Sequence, residues 1–135
     1  MKILIDTNII LDVLCNRADF VEHSSNVWKI CETAQVEGYI CALSVPNIVY
    51  ILRKELTAEK TEDIIKKLLL IFRIADLTAK DITCAAKMHL SDFEDALQIS
   101  CASRIKAQYI VTRNVKDFVD SPIAAVKPSE FLDRL

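Results

Sequence analysis

The sequence predicts an α/β fold: a central parallel sheet of four to five strands with helices over both faces. Two observations carry this. Short apolar runs of strand length recur along the chain, and longer segments with helical spacing separate them. Strands buried on both faces read as nearly continuous apolar stretches, and parallel neighbours need a helical crossover between them. The chain has 135 residues, one glycine and three prolines. That is the length of one domain, 1–135, with no linker, repeat or low-complexity tract.

The elements follow in order. "KILI" (2–5) has the length of a buried strand, and residues 8–15 show a brief helical pattern. A helix is predicted over 20–37, with Val27, Ile30, Cys31 and Ala34 on one face, and Gly38 is placed at its C-cap in positive φ. "YICAL" (39–43) is strand-like, and helices are predicted at 45–56 and 59–71. The second of these has Glu59, Glu62 and Asp63 near its start and Lys66 and Lys67 later, as the helix dipole prefers. "FRIADL" (72–77) reads as a strand, and "TAKD" (78–81) as a cap before a helix reaching about 88. A helix over 92–106, a strand at "YIVT" (109–112), a short strand at 123–126 and a helix from about 129 complete the chain.

Composition narrows the function classes. The chain is 52% hydrophobic and 27% charged, so it folds rather than staying disordered. No apolar run approaches the ~20 residues of a membrane span, and the N-terminus lacks the order of a signal peptide; the expected location is the cytoplasm. A net charge of −2 argues against binding nucleic acid by bulk charge, while leaving room for a local basic rim. Cys15, Cys31, Cys41, Cys84 and Cys101 form no C-x-x-C pair, and His23 and His89 complete no zinc spacing. They read as small buried hydrophobes in a reducing compartment.

Ligands of parallel α/β sheets bind beyond the carboxyl ends of the strands, near the point where strand order reverses. Asp6 follows the first strand, Ser44–Asn47 the second and Thr112–Asp117 a later one. In "SDFEDALQISCAS" (91–103), Ser91 and Glu94 have the form of a capping box, which explains Glu94 and turns it away from the site. Asp92 and Asp95, three apart, share a face. A stripe of small residues, Ala96, Ser100, Ser103 and Ala107, would let this helix approach the sheet and bring Asp95 to the edge. Carboxylates gathered at one edge repel each other, and a hard divalent cation with oxygen ligands relieves that repulsion.

"LIDTNIILDVL", "DFEDALQ" and "YIVTRNVKDF", in this order and separation, resemble the PIN-domain ribonucleases, which include the VapC-type toxins. The resemblance spans essentially the whole chain. It implies a three-layer α/β/α sandwich, Mg²⁺ or Mn²⁺ held by acids, and single-stranded RNA as substrate. Asp6 and Asp95 match the family's principal metal-binding acids, and Asp92 and Asp117 match its helpers. Two positions depart from the toxin-type pattern: Asn47 stands where a glutamate is frequent, and Asn114 where Thr-x-Asp is frequent. An asparagine keeps a carbonyl ligand but neither charge nor basicity.

The leading expectation is metal-assisted phosphodiester hydrolysis leaving a 5′-phosphate and a 3′-hydroxyl. Asn47, Thr112 and Asn114 would orient water or phosphate. Asn8, Arg113 and Lys116 would touch the substrate, with Arg53 and Lys54 extending the basic rim. The alternative is a weakened module that binds RNA or a partner protein without cutting. A phosphotransfer or phosphatase domain ranks last, because neither "DTN" nor "TRN" supplies a second aspartate or the lysine such sites use. Ile48, Ile51, Leu52, Leu68, Leu69 and Leu70 offer more apolar surface than a small core absorbs. That surplus and the resemblance point to a homodimer, and the resemblance also admits an antitoxin protein as partner.

Overall fold

The computed structural model describes residues 1–135. Its five strands are β1 (Lys2–Ile5), β2 (Glu37–Cys41), β3 (Arg73–Ala75), β4 (Tyr109–Val111) and β5 (Ala124–Val126). They form one sheet in the order β3-β2-β1-β4-β5, with every pairing parallel. The chain runs outward from β1 through β2 to β3, then crosses to β4 on the other side of β1. Strand order therefore reverses between β1 and β4.

Alternation along β1 assigns the two faces. Ile3 and Ile5 enter the larger core with Val27, Ile48, Leu68 and Phe131. These come from α2 (Val21–Glu32), α3 (Ser44–Leu52), α4 (Ala58–Ile71) and α7 (Pro128–Asp133), and α1 (Thr7–Leu14) adds Ile9, Ile10 and Leu11. Leu4 points the other way, into a cluster with Ile99, Ala102, Ile110 and Phe118. That layer is built by α6 (Phe93–Arg104), a 3-10 turn at Val115–Phe118, and α5 (Ala79–Met88), which packs on α6 through Ala85, Ala96 and Leu97. Fully burying one such side chain stabilises by roughly 1.5–3 kcal/mol. The packed layers, rather than local propensity, hold strands as short as the three residues of β3, β4 and β5. This is the three-layer α/β/α sandwich expected from the sequence.

Several local expectations are corrected. Gly38 is not a helix cap: it lies inside β2, and no glycine has positive φ. Ala34, at φ 60, makes the left-handed turn instead. Glycine is required at 38 by close approach, since a Cβ there would stand 2.7 Å from Cys31 Sγ and 2.9 Å from Phe72 Cδ1. Gly38→Ala is expected to cost about 1–3 kcal/mol through overpacking, read as a lower urea midpoint with an unchanged slope. The α5 cap is as expected, with Thr78 and Asp81 forming a full capping box. At α6 the cap is Asp92 rather than Ser91: Asp92 Oδ1 accepts from the amides of Glu94 (2.9 Å) and Asp95 (3.2 Å). Along the expected small-residue stripe, Ser103 is exposed while Ala96, Ser100 and Ala107 are buried.

The apolar surplus is only partly absorbed. Ile48, Leu52 and Leu68 are buried, whereas Leu70 is 87% and Tyr50 69% exposed. All five cysteines are free, and Cys15 is exposed rather than buried because it caps the end of α1. No helix is long and apolar enough to cross a membrane.

Candidate active site

The reversal between β1 and β4 places Asp6 beside Thr112. The amide of Asp6 donates to the Val111 carbonyl (3.0 Å), extending the ladder one residue past β1. Its side chain, 6% exposed, is held at both oxygens: Thr112 Oγ1 donates to Oδ2 (2.8 Å) and Gln98 Nε2 to Oδ1 (3.1 Å). The Thr112 hydroxyl in turn accepts from the Asn114 amide (3.0 Å), which fixes the turn after β4. This answers how an aspartate tolerates its place between two apolar segments: its carboxylate receives two donors across the strand-order reversal. Gln98 was not anticipated as a partner, although it lies one turn after Asp95 and so shares its face. Its Oε1 is buried with no protein partner.

Asp95 is the electrostatic centre of this edge. Burial pushes its carboxyl up to about 7, and the negative charges of Asp92, Asp6, Asp117 and Glu94 push the same way. Asp117, exposed on the 3-10 turn, is thus folded back far enough to act on Asp95. Glu94 does not turn away as expected: its Oε2 accepts from Asn47 Nδ2 (3.4 Å). The true cap at Asp92 sets the phase of the first turn, and Glu94 there faces α3. It brings an acid beside Asn47, where the sequence resemblance implied a glutamate.

No three acidic, histidine or cysteine side chains stand close enough together to form a ready metal cage. The carboxylates are occupied instead: Asp6 by Thr112 and Gln98, Asp92 by its cap, Glu94 by Asn47. The donor chemistry still fits a hard divalent cation. The strongest charges acting on Asp95 are all carboxylates, the hard oxygen donors such a cation prefers.

The basic residues divide. Arg113 packs over the Phe20 ring, 3.8 Å from its centroid, with Nε 3.0 Å from Asp12 Oδ2. Asp12 is fully buried and also takes Arg17 Nη1 (3.3 Å) and Ser24 Oγ (3.1 Å). Arg113 therefore ties the loop after β4 to α1. Asn8 is engaged by the same Arg17, whose Nη1 lies 3.3 Å from Asn8 Oδ1. Lys116 is exposed and lines a cleft of about 440 Å³ with Asp117, Ser91 and Leu90. Arg53 and Lys54 sit on the exposed turn that follows α3, at the far end of that helix from Ser44. Ser44 itself accepts from Thr7 Oγ1 (2.6 Å), joining the starts of α1 and α3.

A family model described as "PIN domain" matches residues 2–116. The chain belongs to the PIN-domain family. No protein of curated function matches it in sequence. Solved structures share the fold at low identity. VapBC2 from Rickettsia felis, bound to a DNA fragment from their promoter, aligns with a TM-score of 0.72 and 19% identity, over 94% of this chain and 98% of that one. A toxin-antitoxin complex from Klebsiella pneumoniae aligns at 0.71 and 20%, over 93% and 96%. VapC20 of Mycobacterium tuberculosis, a sarcin-ricin loop cleaving toxin, aligns at 0.64 and 12%, over 80% and 86%. The PIN domain described here thus carries its acids at the sheet edge where the strand order reverses, with Asp6 and Thr112 hydrogen-bonded across it.

Proposed function

We propose that this PIN domain hydrolyses phosphodiester bonds in single-stranded RNA, with Mg²⁺ or Mn²⁺ held by Asp6 and Asp95. The supporting observation is the convergence of Asp6, Asp92, Glu94 and Asp117 on the half-buried Asp95. When bound, a divalent cation supplies positive charge that acidifies water and stabilises charge developing on phosphate. The chain's own residues set the geometry. Thr112 and Gln98 fix the Asp6 carboxylate, and Asp92 holds the first turn of α6 in place. Burial and the neighbouring charges raise the Asp95 carboxyl to about 7, so Asp95 would give up its proton as it takes hold of the cation. Glu94 supplies the charge that Asn47 lacks. Asn47 and Asn114 offer neutral amides to water or phosphate, and Lys116 a free cation to the RNA backbone. Arg113 acts less as a phosphate ligand than as the tether of this loop. In-line attack by water leaves a 5′-phosphate and a 3′-hydroxyl.

The proposed setting is the cytoplasm. The proposed partner is a protein antitoxin, by analogy with the relatives solved as complexes. The exposed Tyr50, Leu69 and Leu70 on α3 and α4 offer the apolar surface for it or for a homodimer. The test is cleavage of labelled single-stranded RNA with Mn²⁺. Products ending in 5′-phosphate are expected, with Asp6→Ala lowering the rate by at least ~10²-fold; intact RNA, or undiminished cutting by the variant, overturns the proposal. A second reading, binding without cleavage, draws on Asn47, Asn114 and the absence of a ready cage. Calorimetric titration with Mn²⁺ separates the two, since a site that takes up no cation excludes the first.

A further inference from the structure

We infer that Cys41 and Cys101 form an oxidisable dithiol, which a peroxide closes into a disulfide clamping α6 to β2 behind the acidic edge. The inference goes beyond the proposed function and holds whether or not the edge cuts RNA. Cys41 ends β2 and Cys101 lies in α6, and neither has any solvent exposure. Their sulfurs are 3.3 Å apart, in hydrogen-bond contact. A disulfide needs about 2.0 Å, so the two sulfurs must close by side-chain rotation, by an approach of α6 to β2, or by both.

The surroundings are polar where a packing cysteine would find only carbon. Cys101 Sγ lies 3.8 Å from the Asp76 carbonyl and 3.8 Å from Asp81 Oδ2, with Arg104 Nη2 at 4.0 Å. Hydrogen bonding from Cys101 pulls the Cys41 thiol down to about 7 against the opposing effect of burial. Cys31 shows the contrast: burial alone pushes it up to about 12, the setting of an inert thiol.

The chemistry balances with hydrogen peroxide as oxidant. The Cys41 thiolate attacks one peroxide oxygen, the O–O bond breaks, and the departing hydroxide takes the proton Cys41 gave up, leaving a sulfenic acid and water. Cys101 sulfur then attacks Cys41 sulfur; the S–S bond forms, the S–O bond breaks, and the leaving hydroxide takes the Cys101 proton as a second water. Two electrons and two protons pass from two thiols to one peroxide. Because both sulfurs are enclosed, the reagent enters through local opening, and the exposed Cys15 reacts first.

The test treats the folded full-length protein with hydrogen peroxide, blocks remaining thiols under denaturing conditions, and maps tryptic peptides by mass spectrometry. The expected product joins the peptide 30–53, which holds Cys31 and Cys41, to the peptide 88–104, which holds Cys101. It is two hydrogens lighter than their sum with one blocking group on Cys31, fragmentation places the link at Cys41, and dithiothreitol splits it. Its expected accompaniment is a melting temperature raised by roughly 5–10 °C. Cys15→Ser retains the link, while Cys41→Ala and Cys101→Ala each lose it. Wild-type protein in which both thiols stay free after Cys15 is oxidised overturns the inference. So does a link that forms only after denaturation, or one that joins other cysteines.

Discussion

The cation-free protein is expected to lose stability as pH rises from about 5 to 8, and Asp95→Asn is expected to flatten that slope. Folding carries the Asp95 carboxyl from its ordinary 3.8 to about 7, chiefly by burial and then by the charges of Asp92, Asp6, Asp117 and Glu94. Between those values the folded chain binds more protons than the unfolded one, so stability falls with rising pH. The contribution is complete below 3.8 and gone once the pH passes about 7. Asp95 is only half-buried, and solvent screening reduces the effect to about 1–2 kcal/mol, or a few degrees of melting temperature. The asparagine removes both the titration and one of the crowded charges, so the variant melts higher than wild type at pH 8 in chelator. Saturating Mn²⁺ reverses the comparison, raising the wild-type melting temperature and leaving the variant nearly unmoved. Thermal melts at the two pH values, with and without cation, read both effects. A wild-type profile flat in chelator rules out Asp95 as the proton holder.

The second large effect is at Asp81, where Asp81→Ala is expected to cost about 3 kcal/mol or more. The carboxylate is 1% exposed. It accepts from the Thr78 amide (2.9 Å), Thr78 Oγ1 (3.0 Å), Ser100 Oγ (2.7 Å) and Arg104 Nε (3.3 Å). Truncation removes the half of the α5 capping box that holds the Thr78 amide, strands the Ser100 hydroxyl and leaves Arg104 without its buried partner. Burial by itself pushes Asp81 up, but the bonds from Thr78, Ser100 and Arg104 outweigh it and hold the carboxyl at about 2. A depressed carboxyl stabilises above the unfolded value and loses that contribution as the acid range is entered. The gap between variant and wild type is therefore full at pH 7 and closes as pH falls through about 2. Urea midpoints at pH 7 and pH 3 measure it, with Asp81→Asn, which keeps shape and loses charge, falling between. An alanine variant as stable as wild type at pH 7 would show that the α5–α6 packing, not this carboxylate, holds the two helices together.

The sequence made the scaffold legible because buried parallel strands leave an unambiguous trace. "KILI" and "YIVT" are apolar on both faces, and Asp6 ends the first run abruptly. Gly38 reads as a helix cap in the sequence because a cap and a close packing contact both demand the absent Cβ, and only the fold brings Cys31 and Phe72 beside it. The cap of α6 shifted by one residue because Ser91 and Asp92 are both good caps, and that shift brought Glu94 toward Asn47. Gln98 stayed hidden because it meets Asp6 across 92 positions. Asp12 looked like any polar residue on a short helix. Its burial depends on Arg17 and Arg113 arriving from two other segments.

The hydrogen bond from Thr112 to Asp6 closes a sequence separation of 106 residues. During synthesis β1 emerges well before β4, so Asp6 waits through 106 further residues for Thr112. A chain stalled or truncated before residue 112 lacks the Thr112 hydroxyl that orients Asp6, and without β4 the strand-order reversal beside β1 is not formed. The edge is therefore completed only once β4 lies beside β1.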